Sequence, residues 1–350
     1  MIVFNTVGRL LVLITALAVI LTATGGCAEE SRTQSDKASE PLNQGQNRPP
    51  LRVPVFDRDS AYAYLSGQVN FGPRVPGTEG HKACKDWLVG KLEQFGAEII
   101  VQEFTPNMTG LGKQPSYNII GSYNSEAKRR ILLAAHWDTR HKGDYDPDPS
   151  KRDQAIPGAD DGASGVAVLL EVARQLQLQP IVIGIDIVFF DAEDQGYDSS
   201  PGEQPRPESW CLGAQHWSAS PHRRGYKAEY GVLLDMVGSA NARFPKEGYS
   251  MHFAPQVVEK VWKLALEMGF GNYFDTAAAA GAVTDDHYFV NTIAGIPMID
   301  IINKPMGSET GFGPHWHTHG DDLDVIDTRT LRAVGQIMLA LLYNEDYGSI

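Results

Sequence analysis

Apolar runs that end in carboxylates and histidines constrain this chain more than any other feature. Ile183–Phe190 is rich in aliphatic and β-branched residues, and Asp191-Ala192-Glu193-Asp194 follows it directly. Arg130–Ala135 is followed by His136-Trp137-Asp138, and Tyr230–Val237 carries Asp235. Apolar runs of this length suit strands buried on both faces of a sheet. Met298–Ile302 is another, placed after Pro297, and proline is tolerated at a strand's first position but not in its middle. Glu98–Phe104 and Tyr117–Tyr123 alternate as strands near a sheet edge do. The spacing predicts helices over 81–95, 162–176, 255–268 and 328–343. Alternating strands and helices imply an α/β fold, a mixed or parallel sheet covered on both faces. Ligands bind such sheets beyond the carboxyl ends of the strands. The polar clusters fall there.

The whole chain has 350 residues, 42% hydrophobic and 21% charged, which excludes a collagen-like, coiled-coil or mostly disordered chain. Acidic residues outnumber basic ones 43 to 30, for a net charge of -13, so nucleic acid is not an expected partner. Leu10–Ala23 is an almost unbroken apolar run behind Arg9, too short to span a bilayer comfortably, and reads as a secretory signal. It ends in Thr24-Gly25-Gly26-Cys27, similar to a bacterial lipoprotein cleavage site with Thr24 in place of the usual Leu. The expectation is a signal peptide over 1–26, a lipidated Cys27 opening a flexible tether over 27–50, and a catalytic domain over 51–350. The tether has too few large apolar side chains to fold. The protein is then anchored by its lipid at the periplasmic face of the cell envelope. Three cysteines make no disulfide framework. Cys84 and Cys211 either pair in that oxidising compartment or stay buried as thiols.

Among the polar clusters, Glu193 and Asp194 are adjacent carboxylates after an apolar strand. Burying both without a cation is unfavourable. A metal would hold one as an anion and leave the other free to carry a proton. Asp160-Asp161 precede Gly162-Ala163-Ser164-Gly165 and an apolar helix; one Asp can cap the helix while its neighbour ligates. Asp138, two residues from His136, is placed to orient that imidazole. Asp285-Asp286-His287 opens a helix-like stretch, as a cap or as part of a site. His315, His317 and His319 share a face in an extended segment, and one of them is expected to ligate. Imidazole together with carboxylates suits zinc, and a catalytic zinc keeps an open position.

Taken together, these motifs resemble the glutaminyl cyclases and the zinc aminopeptidases that share their fold, over residues 55 to 350. The markers run in the family's order: 72–80 (Gly-Pro-Arg-Val-Pro-Gly-Thr-Glu-Gly), Ala135–Asp138, Gly158–Gly165, Phe189–Asp194, Leu233–Met236, Asp285–His287 and Trp316–Thr318. The resemblance implies a single α/β domain with a mixed, largely parallel central sheet. In the aminopeptidases, the counterparts of His136, Asp160 and Asp235 hold one metal. Those of Asp160, Asp194 and His317 hold a second, and Asp160 bridges. The cyclases use only the latter set. Trp316 before His317, and Asp285-Asp286-His287 followed by Gly295–Ile299, favour the cyclase. With the lipoprotein signal, the whole resembles the animal-type glutaminyl cyclases of Bacteroidetes-like bacteria.

That resemblance implies one zinc per chain on Asp160, Asp194 and His317. Glu193 would shuttle the proton, Asp286 would hydrogen-bond the leaving amine, and Asp235 would support it. Trp316 would wall the substrate pocket. Its partners would be peptides or proteins with an N-terminal glutamine. Two departures stand out. Asp194 occupies a position where either family more often has Glu. Tyr197 and a Pro/Gly-rich insert over 200–208 stand where the cyclases have a further Trp, which leaves Trp210 or Tyr197 as the second aromatic wall. A secreted zinc aminopeptidase, with His136 and Asp235 holding a second metal, is the alternative. A non-catalytic peptide-binding lipoprotein is a third reading.

Overall fold

The apolar runs become the centre of a six-stranded sheet. The computed structural model describes residues 50–198 and 203–350; the signal segment and Cys27 lie outside them. The strands are β1 (Glu98–Phe104), β2 (Ser116–Tyr123), β3 (Arg130–His136), β4 (Gly184–Phe190), β5 (Tyr230–Asp235) and β6 (Met298–Ile302), in the spatial order β1-β2-β4-β3-β5-β6. β3 and β4, β3 and β5, and β5 and β6 pair in parallel; β1 with β2 and β2 with β4 pair antiparallel. The sheet is therefore mixed and largely parallel, as expected, with its antiparallel strands at one edge.

Burial explains why the central strands read as continuous apolar runs. Ile131, Leu133 and Ala135 face one apolar cluster, while Leu132 and Ala134 face another. Ile185, Ile187 and Phe189 alternate with Val188 and Phe190 in the same way. A strand covered on both faces has no position for a polar residue without a partner. Asp186, inside β4, has one: Arg130 Nε donates to it at 2.6 Å and Ser122 Oγ at 2.6 Å.

The larger face is covered by α1 (Arg58–Val69), α2 (Glu79–Gln94), α3 (Ala163–Leu178), α6 (Pro255–Glu267) and α8 (Thr328–Tyr347). The smaller face is covered by α4 (Leu212–Ala219) and the short α7 (Asp286–Phe289) with the turn after it; α5 (Gly248–Phe253) packs beside β6. Four of these helices match the periodicity in the sequence. α1 escapes it because its only buried apolar side chains are Ala61 and Leu65, and no stripe of helical spacing results. Cys84 and Cys211 are both buried free thiols, so the bond considered between them does not form.

Candidate metal centre and pocket

Each site residue leaves the carboxyl end of a parallel strand or a loop held against it. β3 and β4 end level, with His136 opposite Phe190, so His136 and the turn 191–194 emerge side by side. Asp138 ties the two together. Its carboxylate accepts from the backbone N–H of Glu193 (3.0 Å) and Asp194 (3.3 Å) and from Gln195 Nε2 (2.9 Å). It also lies 3.7 Å from His136 Nδ1. Asp138 thus lies beside the imidazole without a hydrogen bond to it, and its bonds shape the 193–195 turn.

The loop before α3 supplies the third component. Gly162 has φ +100, and a Cβ there would meet the Asp138 carbonyl at 2.7 Å, so only glycine fits. Arg74, fully buried, donates to the carbonyls of Pro157 and Gly158. Asp321 accepts from the N–H groups of Asp160 (2.7 Å) and Asp161 (3.0 Å).

This geometry corrects the expected ligand. Asp160 turns away from the cluster: its Oδ1 accepts from Gly238 N at 2.7 Å, and its Oδ2 pairs with His315 Nε2 at 2.9 Å. Asp161 is the residue that faces in. Its Oδ1 lies 3.0 Å from His136 Nε2 and its Oδ2 lies 3.8 Å from His317 Nε2. Two neighbouring carboxylates divide the work of bracing and facing, but in the opposite order to the one expected.

His317 lies 3.0 Å from Asp194 Oδ1. Its φ of +54 breaks the extended run, so the three histidines do not converge. His315 pairs with Asp160, His317 with Asp194, and His319 with Asp146 at 2.9 Å. Asp144 lies 3.4 Å from the far nitrogen of His317 and is itself held by Arg140. That carboxylate–histidine pairing fixes the imidazole tautomer and ring orientation at metal sites.

Among the described residues, ligand atoms of Asp161, Asp194 and His317 lie within 4.8 Å of one another, as do those of His136, Asp161 and Asp235. The first set fits zinc. It offers one imidazole and two carboxylates, and the buried Asp194 Oδ2 has no hydrogen-bond partner. Burial pushes the Asp194 carboxyl up, the Asp161 charge adds to this, and His317 opposes it. Uncompensated negative charge is what a dication would neutralise.

Burial raises the carboxyls on the other side as well. Burial raises the Asp235 carboxyl to about 8, with the Asp285 charge adding to it and the His136 hydrogen bond opposing. Burial also lifts Glu193 well above the usual range, against the nearby His136 and with Asp285 and Asp194 reinforcing it. For His136 burial favours the neutral ring, but Asp138, Asp161 and Asp235 outweigh it and hold its pKa well above the ordinary value.

A pocket of about 370 Å³ opens over this edge, lined by Asp161, Glu193, Asp194, Asp235, Asp285 and His317 and walled by Tyr197, Trp210 and Trp316. Trp316 stacks on the His317 ring, 3.7 Å away between centroids, and Trp210 lies nearly parallel to that ring at 6.2 Å. Trp210 is therefore the second indole wall, backed by the Arg140 guanidinium at 4.7 Å. Tyr197 sits beside it, accepting from Trp210 Nε1 through its carbonyl. Asp285 lines the pocket, whereas Asp286 does not; its carboxyl is fully buried and neither oxygen is hydrogen-bonded. The carboxyl expected from Asp286 is thus presented by Asp285, which also caps α7. Sequence reasoning assigned no role to Arg74, Asp144 or Asp321. Arg74 lies inside a quoted motif; Asp144 and Asp321 carry no local signal.

Similarity to known proteins agrees with this arrangement. The model of peptidase family M28 matches residues 118–342. A glutaminyl-peptide cyclotransferase of Bos taurus is 25% identical over 301 residues, covering 76% of each chain. The structure of Bacteroides thetaiotaomicron glutaminyl cyclase bound to N-acetylhistamine is 50% identical, with a TM-score of 0.81, covering 84% of this chain and 99% of that one. A Zn-dependent exopeptidase from Parabacteroides distasonis is 51% identical, with the same TM-score, covering 84% and 100%. With its site built at the same sheet edge that the family motifs mark, the chain belongs to peptidase family M28 and, within it, to the glutaminyl cyclases.

Proposed function

We propose that the protein converts the N-terminal glutamine of peptides and proteins to pyroglutamate, releasing ammonia. The observation that carries this reading is the pocket walled by Trp210 and Trp316, which is lined by Glu193 and Asp285 and has His317 beside both indoles. One zinc per chain on Asp161, Asp194 and His317 would supply a Lewis acid for the γ-carbonyl oxygen. The chain's own residues do the rest. The indoles hold the glutamine side chain against the site, so that the α-amine and the γ-carbonyl of one residue meet with a proximity advantage. Glu193, whose side chain is 12% exposed, accepts the proton from the attacking amine and returns it to the departing nitrogen. Asp285 hydrogen-bonds that nitrogen, and Asp235 supports Asp285. The new bond joins the α-nitrogen to the side-chain carbonyl carbon (Cδ), the bond from that carbon to the amide nitrogen breaks, and ammonia leaves with the transferred proton.

Mass spectrometry of two peptides tests this. A peptide beginning Gln-Ala loses ammonia and keeps its full length, while one beginning Leu-Ala stays intact. Release of free leucine at a comparable rate overturns the cyclase in favour of the aminopeptidase. The location is a further part of the reading. The apolar run Leu10–Ala23 and Cys27 support a lipid-anchored protein on the periplasmic side of the envelope. Cys27→Ser then moves the protein to the soluble fraction or leaves its signal uncleaved; fractionation identical to wild type argues against the anchor.

A further inference from the structure

The two oxygens of Glu193 have different surroundings. Oε2 lies 3.9 Å from His136 Nδ1. Oε1 lies 3.2 Å from the Cys211 sulfur, within hydrogen-bonding distance of its S–H. The main chain reinforces that contact: Cys211 N–H donates to the Glu193 carbonyl at 2.9 Å, and Leu212 N–H donates to the Ala192 carbonyl at 3.0 Å. The start of α4 is therefore fastened to the 192–193 turn through backbone and side chain together. Cys211 holds a left-handed φ of 55, a conformation that disfavours residues with a Cβ. The turn nevertheless carries a side chain there, and that side chain points at the carboxylate. Burial, with Glu193 beside it, pushes the Cys211 thiol well up, so it is a donor rather than a thiolate. Cys84 is equally buried, in the larger apolar cluster with the charges of Arg74 and Asp191 nearby, and among the described residues its thiol has no carboxylate hydrogen bond of this kind.

We propose that Cys211 is a positioning residue for Glu193: its thiol donates to Oε1, fixes the carboxylate rotamer, and leaves Oε2 as the oxygen that accepts and returns the substrate proton. This rests on Glu193 being the base in the proposed cyclisation.

Two measurements on the full-length, zinc-loaded protein test it. In Cys211→Ala, kcat for a Gln-Ala peptide falls by roughly five- to tenfold, the size of one ordinary intramolecular hydrogen bond, while KM and zinc content stay at wild-type values. Cys211→Ser retains most of the turnover, because a hydroxyl donates to the same oxygen. Wild-type kcat in Cys211→Ala overturns the proposal, and so does equal loss in the Ser and Ala variants, which would make the role one of packing. The infrared S–H stretch needs no variant to be active. In the unsubstituted protein one thiol band, the one lost in Cys211→Ala, lies below that of Cys84; coincident bands overturn the contact. Wild-type turnover in Glu193→Gln would instead overturn the base reading, whereas an inactive Glu193→Gln with a fully active Cys211→Ala overturns this inference alone.

Discussion

Asp161 stands between two histidines, and the two sides of it differ in what surrounds them. On the His317 side, Asp161 and Asp194 meet one imidazole, Trp316 stacks on its ring with Trp210 nearly parallel beyond, and Asp144 lies 3.4 Å from the far nitrogen. On the His136 side, Asp161 and Asp235 meet an imidazole whose far nitrogen has Asp138 3.7 Å away. The ligand inventories are nearly equal. The neighbours are not: Asp235 and the nearby Glu193 are crowded by Asp285, and burial lifts the pKa of both. One side is a cation site opening on an aromatic slot. The other is a set of buried carboxyls whose raised pKa values bring them toward the range in which a group can both accept and return a proton. The two activities of this fold differ in the use made of the second side, and counting ligands does not separate them.

The largest effect expected is loss of the residue both sides share. Asp161→Asn loses bound zinc and essentially all turnover. Asp160→Asn keeps its zinc, because an amide oxygen still accepts from Gly238 N–H, and it costs about 1–2 kcal/mol of stability through the weakened His315 pair. Metal quantification on both variants reads this directly. Zinc lost from Asp160→Asn and retained in Asp161→Asn would reverse the assignment made here. The next largest effect is at Glu193. Glu193→Gln keeps size but cannot titrate, and turnover falls by about 10²–10⁴-fold with zinc retained.

Breaking the His136 side sharpens the comparison further. His136→Ala keeps one zinc per chain, and its turnover falls less than that of Glu193→Gln, because His136 sits beside the proton-carrying groups rather than at the substrate. If wild type binds two zincs and this variant one, the His136 side is a metal site as in the aminopeptidases, and the cyclase reading weakens.

Much of this was legible from the sequence. All six sheet strands and the four long periodic helices follow from apolar spacing, and the site lies at the strand ends where doubly covered sheets place it. The errors were local. In Asp160-Asp161 and in Asp285-Asp286 the chain offers identical side chains at adjacent positions, and which one faces the pocket is set by backbone dihedrals that spacing does not report. Asp321, 160 residues beyond Asp161, orients that turn through two backbone N–H groups. Asp144 reaches His317 directly and is held there by Arg140, a contact made only when residues 144 and 317 are brought together by the fold. Such bracing residues are recruited by tertiary contact, and nothing in their own neighbourhood marks them. The histidine run misleads for the same reason, since one left-handed residue, His317, sends three alternating side chains to three separate carboxylates.

The smallest expected effect distinguishes the two walls of the slot. Trp316 contacts the His317 ring closely, 3.7 Å between centroids at 20°. Trp210 is nearly parallel to the same ring, at 13°, but stands 6.2 Å away with Arg140 stacked behind it. Both indoles offer apolar surface to a bound side chain, so truncating either should raise KM for a Gln-Ala peptide by roughly tenfold, the loss expected when an aromatic contact is replaced by water. Only Trp316 also packs directly on His317. Removing it frees the imidazole to leave the orientation that Asp144 and Asp194 hold, so Trp316→Ala should give up zinc to a chelator faster than wild type. Trp210→Ala should raise KM and keep its zinc as firmly as wild type does. Equal zinc loss in the two variants would mean that the ring is held by both indoles, and that the slot and the metal set are one mechanical unit rather than two.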